Sequence, residues 1–415
     1  MTRTTHDVVI VGSGIIGITI AWELRKAGRE VLLVDRGEPG MECSYGNAAH
    51  FATEQIFPIA NPDNLRSLPR YLLSRDSPLT FRLSSIQHVL PWGIRYLRAC
   101  REQAFRHGSR ALAALNEQAL PAWRALLEEI GSQHLLLTPG TLQLAETPRG
   151  GSELETLHRN LLDHEVESRL LGSSEVSELL PDLPRRSYTG LYFPHTAHCH
   201  DPFRFLKEVY NACLDRQVGF LREEVHTLSP RSDGSVDVVG ADQTLTAGSV
   251  VIACGVHSAR LLKPLGYRVP LIAERGYHLI LSEPGMDLGL PVTLHERQFI
   301  MTPTETGVRL AGTAEFAHPE DPPTMQRASM LFHQAKHVFP ELILNSSSQW
   351  MGCRPTLPDY LPVIDRLESA PRVFASFGHA HLGLTQAAIS AQLITDMLMD
   401  RECTIDPSPF TVNRF

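Results

Sequence analysis

The chain lacks any uninterrupted apolar run long enough to cross a bilayer, which takes about 20 residues. The nearest approach, residues 8–20, is broken by three glycines, so any membrane association is expected to be peripheral. The first eight residues, MTRTTHDV, have neither the basic stretch nor the small-residue cleavage site of a secretory signal. There is no C-x-x-C, and the seven cysteines are odd in number and irregularly spaced. That usage fits reduced thiols rather than a disulfide framework. The expected location is cytoplasmic, free or peripheral on the inner face of the membrane. A basic stripe is missing too. With a net charge of −8, the chain has no surface suited to displacing counterions from phosphates, so nucleic acid is not an expected partner. No internal repeat or low-complexity linker occurs. His195, His198, Cys199, His200 and Asp201 resemble a metal cluster, but they fall just before a helix start and read as a solvent loop. No metal is expected.

What is present begins at the N-terminus. Residues 7–11 (DVVIV) form the apolar run of a buried parallel strand. The run ends in Gly12-Ser13-Gly14-Ile15-Ile16-Gly17, a G-x-G-x-x-G, followed by a helical pattern closed at Gly28. A second apolar run, residues 31–34, ends in Asp35, 18 residues past Gly17. Gly12 permits a tight turn, Gly14 lets a pyrophosphate reach the backbone, and Gly17 lets helix and strand pack closely. The helix N-terminus presents free N–H groups, with Ile15 and Ile16 in its first turn, and a partial positive charge. Asp35 can accept the ribose hydroxyls. Arg36 raises a 2′-phosphate as a lesser reading, because Asp35 would repel it. Length and composition (415 residues, 43% hydrophobic, 20% charged) suit about two soluble domains.

After Asp35 the chain does not enter another helix. Residues 43–49 (Cys43, Ser44, Asn47, Ala48 and Ala49 among them) resemble the T/S-S-x-x-N-A-G loop of the D-amino-acid oxidase-like FAD oxidoreductases. Ala49 stands in place of the usual glycine. Residues 250–281 resemble that family's strand-x-A-x-G-x-x-S segment, with Gly255 beside the cofactor, and its P-x-x-x-R/K-G-Y strand. Asp201-Pro202 resembles its D-P helix start, with Asp201 capping the helix and Pro202 at its first position. Val225 falls where relatives place a backbone contact to adenine. Residues 350–359 (WMGCRPTLPD) and 377–385 (FGHAHLGLT) are similar to W-x-G-x-R-P-x-x-P-D and F-G-H-x-H-L-G-x-T of the bacterial D-amino-acid dehydrogenase type. The resemblance implies non-covalent FAD, since Cys353 is one position off the cysteine that carries covalent flavin in sarcosine-oxidase relatives. It also places Gly378, His379, Leu382, Gly383, Leu384 and Thr385 at the flavin, where the helix dipole can stabilise charge on the reduced ring.

The cofactor motifs are separated by other sequence, so two interleaved domains are expected. The fold class is α/β (α+β), with a Rossmann-like FAD domain at 1–90, 160–268 and 350–415. A β-rich substrate domain occupies 91–159 and 269–349, in a glutathione-reductase-2-like arrangement. Residues 64–130 look helical and broken by Pro58, Pro62, Pro69, Pro78 and Pro91 near or within them. Residues 134–145 look like a hairpin around Pro139-Gly140.

The resemblance implies oxidation of a Cα–N bond with hydride passing from Cα to flavin N5, the protein supplying position and electrostatics. Arg354 is the expected grip on a substrate carboxylate. Phe299 stands about where relatives have a carboxylate-binding tyrosine, so the pocket must differ there, and Tyr277 is an alternative donor. His50, His379 and His381 could line the flavin face, with His381 as a proton acceptor from the ammonium. No catalytic residue is otherwise assigned. The expected substrate is a small D-amino or cyclic D-imino acid, with D-proline and cis-4-hydroxy-D-proline suggested by residues 43–55. Sarcosine or glycine oxidation is the second reading, and a tRNA-modifying or non-catalytic FAD-binding subunit the third. The electron acceptor (quinone, oxygen or a partner protein) is left open.

Overall fold

The computed structural model describes residues 5–66, 79–82 and 85–415. Pro69 and Pro78 lie outside these residues. One sheet has eight strands: β1 (Thr5–Val11), β2 (Val31–Asp35), β9 (Gly219–Arg222), β10 (Val225–Pro230), β11 (Val236–Gly240), β12 (Thr244–Ile252), β18 (Val363–Arg366) and β19 (Val373–Phe377). Its parallel centre runs β19-β12-β1-β2-β9. Antiparallel β10, β11 and β18 are added at the margins. Val8, Val9 and Ile10 are fully buried in β1, as a strand covered on both faces requires.

The second sheet contains β4 (Leu79–Phe81), β5 (Thr141–Ala145), β6 (Arg169–Leu171), β7 (Thr189–Phe193), β13 (Ile272–Ser282), β14 (Val292–Leu294), β15 (Phe299–Thr304), β16 (Gly307–Phe316) and β17 (Ser346–Thr356). A two-stranded ribbon pairs β3 (His50–Phe51) with β8 (Ala197–His198).

Five helices position the site: α1 (Ile15–Lys26), α2 (Glu102–Glu117), α3 (Ala119–Glu129), α4 (Pro202–Asp215) and α5 (Gly383–Leu398). Alanines 387, 388 and 391 on α5 are buried and let α1 approach, so that Thr19 Oγ1 donates to the Ala387 carbonyl at 3.2 Å. Trp123 of α3 donates its indole N–H to Leu384 O at 2.8 Å and packs edge-on against Phe51 and Phe205. Such aromatic pairs add about 0.5–1.5 kcal/mol each beyond buried area. At α4, Asp201 accepts from the N–H groups of Phe203 and Arg204 with Pro202 behind it, as the sequence indicates. Among the described residues no helix is long and apolar enough to cross a membrane.

Strands of the two sheets alternate along the chain, and their membership departs from the expected domain boundaries. Strands β6 and β7, inside the expected FAD segment 160–268, belong to the second sheet, as does all of β17, which the boundary at 350 divides. Helices α2 and α3, expected in the substrate domain, share a core with α1, α4 and α5. The reason is geometric: a strand joins whichever sheet offers a free edge, and a helix joins whichever apolar face it can cover. The hairpin around Pro139-Gly140 does not form. Residues 133–135 make a single helical turn, and β5 pairs instead with β7 and β14.

Three buried histidines are held neutral by burial. His198 and His278 are pushed down to about 4, and His379 to about 3, from 6.5. The unfolded chain takes up these protons near pH 6.5 and the folded chain does not. Their contribution is therefore present above pH 6.5 and is lost as the pH falls toward 4. Chemical denaturation at pH 7 and pH 5 is expected to differ by roughly 1–2 kcal/mol for each such histidine. Equal stabilities at the two values would contradict their neutrality.

Candidate active site

At the end of β1 the chain turns through Gly12 at φ +111°. A Cβ there would lie 2.4 Å from the Ala253 carbonyl oxygen, and one at Gly17 would lie 1.9 Å from that of Gly12. Neither position accepts a side chain, so the backbone at the start of α1 is bare. Asp35, at the end of β2, accepts from the Ser13 N–H (2.7 Å) and hydroxyl (2.8 Å) and from the Gly37 N–H. Ser44 Oγ accepts from the Ile15 N–H at 2.9 Å, satisfying one of the first-turn donors that no helix can satisfy internally. Asn47 braces the same loop, donating to Ser44 O and accepting from the Ala49 N–H. Ala49 sits at φ +58°, a left-handed conformation that suits glycine and explains why glycine is usual there.

These groups form one end of a cleft with about 1530 Å³ of space free of protein atoms. Its walls include Gly12, Gly14, Ile15, Ile16, Asp35, Arg36, Cys43, Ser44, Asn47, Ala48, Val225 and Gly255. The far end holds Tyr277, Arg354, Gly378, His379, His381, Gly383 and Leu384. Gly17, Ala49, Leu382 and Thr385 stand behind the wall: Gly17 packs on the Gly12 carbonyl, and Thr385 Oγ1 accepts from the Ala52 N–H at 3.0 Å. Burial pushes the Cys43 thiol up to about 12. Arg36 is engaged by Glu42 at 2.7 Å and by His257 at 3.0 Å.

Two of the residues expected to bind substrate are not on the cleft. Phe299 is buried in the core of the second sheet across from Gly312, whose missing side chain makes room for it. His50 is buried between the Ala197 carbonyl and Glu54. Each follows the inward face of its strand. Tyr277 lines the cleft, but its hydroxyl donates to Glu315 and accepts from the Thr324 N–H, so it is not a free carboxylate donor.

Arg354 is at the cleft wall. It lies on β17 opposite Glu274 of β13, and Nη1 donates to Glu274 Oε1 at 2.9 Å and to Thr313 O at 3.2 Å. The guanidinium lies over Gly276, where a Cβ would come within 2.3 Å of Nη2 and 2.8 Å of Nε. Thr313 is held at φ +60°, beside the register shift between β13 and β16. A left-handed β-branched residue is strained, and here the strain accompanies a carbonyl that accepts from Arg354. His381 is exposed in the open cleft; the protein packed around it pushes its ring down to about 4, and its Nε2 is 2.7 Å from Gln55 Oε1. Water in the cleft moderates that shift; filling the cleft strengthens it.

A bare glycine turn at a helix N-terminus, an acid at the next strand end and a long cleft define a dinucleotide-binding protein. The chain belongs to the DAO family of FAD dependent oxidoreductases, whose model matches residues 7–397. It is 30% identical to a D-amino-acid oxidase of Bradyrhizobium diazoefficiens over 417 residues, covering 99% of each chain. It is 28% identical to a D-amino acid dehydrogenase of Dechloromonas aromatica, covering 95% of this chain and 97% of the other. Its fold matches glycine oxidase from Geobacillus kaustophilus with a TM-score of 0.78 at 21% identity, over 100% of both chains. The cofactor is FAD. The cleft fits it: the bare Gly12–Gly14 backbone and α1 suit the pyrophosphate, Asp35 a ribose, and the N-terminus of α5 the ring. The Ser376 hydroxyl at the wall is buried without a protein partner.

Several site residues escape sequence reading. Glu274, Gly276 and His278 alternate on one face of β13, which the period of a strand could have indicated. Their partners Arg354, Gly352 and Trp350 are fixed only by pairing. Thr313 carries no local signal. Thr313→Gly keeps the carbonyl while removing the strain and a hydroxyl buried without a partner. It is expected to raise stability by about 1 kcal/mol in urea denaturation; a loss of stability would contradict the strain.

Proposed function

We propose that this protein oxidises the Cα–N bond of a small D-amino or cyclic D-imino acid, D-proline and cis-4-hydroxy-D-proline among the candidates. The observation that carries the reading is Arg354, whose Nη2 and Nε edge lies at a cleft already matched to FAD. A planar two-donor edge suits a carboxylate. The D configuration is supported by relatives named D-amino-acid oxidase and D-amino acid dehydrogenase over nearly their whole lengths.

Bound FAD supplies the two-electron acceptor. Arg354 holds the carboxylate, fixing which face of Cα is presented. His381, with Nε2–H donated to Gln55 Oε1, keeps Nδ1 unprotonated and able to take a proton from the substrate ammonium. Binding displaces water from a cleft with largely apolar walls, which strengthens the grip of Arg354 on the carboxylate and disfavours a charged His381, so proton uptake by His381 belongs to the open cleft. The species that reoxidises the enzyme is oxygen, a quinone or a partner protein, and association with the membrane would be peripheral.

The test is the anaerobic flavin spectrum on addition of D-, L- and N-methyl amino acids, with glycine and sarcosine included. Bleaching by D-amino or D-imino acids is expected. Bleaching by sarcosine or glycine alone would move the assignment to the second reading, and no bleaching by any D-substrate would sink the first. Arg354→Lys, which loses the two-donor fork, is expected to raise KM by about 100-fold with FAD content unchanged. An unchanged KM would remove Arg354 from substrate binding.

A further inference from the structure

One edge of Arg354 is committed before substrate arrives. Nη1 is taken by Glu274 and the Thr313 carbonyl, while Nη2 and Nε lie over Gly276 at the cleft. Glu274 is 4% exposed and its second oxygen accepts the hydroxyls of Thr356 and Tyr360, each at 3.2 Å. Both carboxylate oxygens are thus occupied, so Glu274 is fixed and away from the cleft wall. Among the other titratable groups near this end of the cleft, the Cys43 and Cys353 thiols are pushed up by burial, the Tyr277 and Tyr360 hydroxyls are raised and the His381 ring is pushed down. The carboxylates of Glu42 and Glu54 act on these groups from a distance, whereas the carboxylate paired directly with Arg354 is that of Glu274.

We propose that Glu274 is a positioning residue that aims the Nη2/Nε edge of Arg354 and sets the charge of the accepted substrate. The inference rests on the reading of Arg354 as the carboxylate grip. A guanidinium with a buried carboxylate partner makes a neutral pocket. A zwitterionic amino or imino acid entering it leaves the sum at zero. A bare carboxylate leaves one uncompensated negative charge in a desolvated cleft, which is costly, and a second carboxylate on the substrate leaves the same excess. The pocket selects monocarboxylic zwitterions over simple anions and over acidic amino acids.

Two substitutions separate charge from aim. Glu274→Gln retains an oxygen acceptor for Nη1 and removes the charge. Glu274→Ala removes both. In the holoenzyme, binding of propionate and of D-alanine is read from perturbation and anaerobic reduction of the flavin spectrum, with calorimetry of propionate binding as an independent measure. Glu274→Gln is expected to tighten propionate at least tenfold and to shrink the preference for D-alanine over propionate. Glu274→Ala is expected to bind both at least tenfold more weakly than Glu274→Gln. A structural role alone would move both variants the same way. If Glu274→Gln leaves propionate unchanged or weaker, the proposal is overturned, and this variant decides even where Glu274→Ala does not fold. Arg354→Gln distinguishes the underlying reading: if it leaves both ligands unaffected, the carboxylate grip itself is wrong. If it weakens both while Glu274→Gln leaves their ratio unchanged, only the role of Glu274 falls.

Discussion

Three consecutive carbonyls, of Gly46, Asn47 and Ala48, are each held by a side chain from the second sheet: His278 at 2.9 Å, Arg309 at 2.8 Å and Thr302 at 2.8 Å. This grip joins the two halves of the molecule. The same loop caps α1 through Ser44 and runs on through strained Ala49 into β3, so one segment touches the phosphate end and the substrate-domain sheet together. His278 is stacked on Trp350, and the Trp350 ring in turn lies against Gly46 and Gly352. Removing a buried hydrogen-bond partner costs about 1–3 kcal/mol where the other group is left unsatisfied. Three such bonds on adjacent residues make the loop far stiffer than its glycine and alanine content suggests.

The cleft has two electrostatic characters. At one end the N-terminus of α1 and the bare backbone favour anionic phosphates, and Asp35 is already aligned by Ser13 and Gly37. At the other, the N-terminus of α5 opens beside Arg354, and the arginine's charge is countered by Glu274. His379 there is neutral because burial penalises its charged form. The phosphate end favours a fixed anion, whereas the far end is balanced and sensitive to what enters it.

Much of the phosphate end was legible in the sequence because its parts are local. Gly12, Gly14, Gly17 and Asp35 act through the turn, the helix start and the strand end that immediately contain them, and their spacing carries the geometry. Asp201 and Pro202 were legible for the same reason. Phe299 and His50 show the limit. A position matched along the chain says which strand a residue occupies, but not which face it turns inward, and both turn away from the cleft. The domain boundaries failed likewise at β6, β7 and β17, since short strands carry too little pattern to reveal which sheet they complete.

The sequence alone indicated a dinucleotide on the first βαβ unit, through residue type at short spacing. Arg354 was marked by the resemblance of its motif to the family's. Only the tertiary structure decided what surrounds Arg354. Glu274 is 80 residues away and Thr313 is 41, and they meet it through strand register and a bulge. Register is fixed by the burial of whole sheet faces, a property no single segment contains.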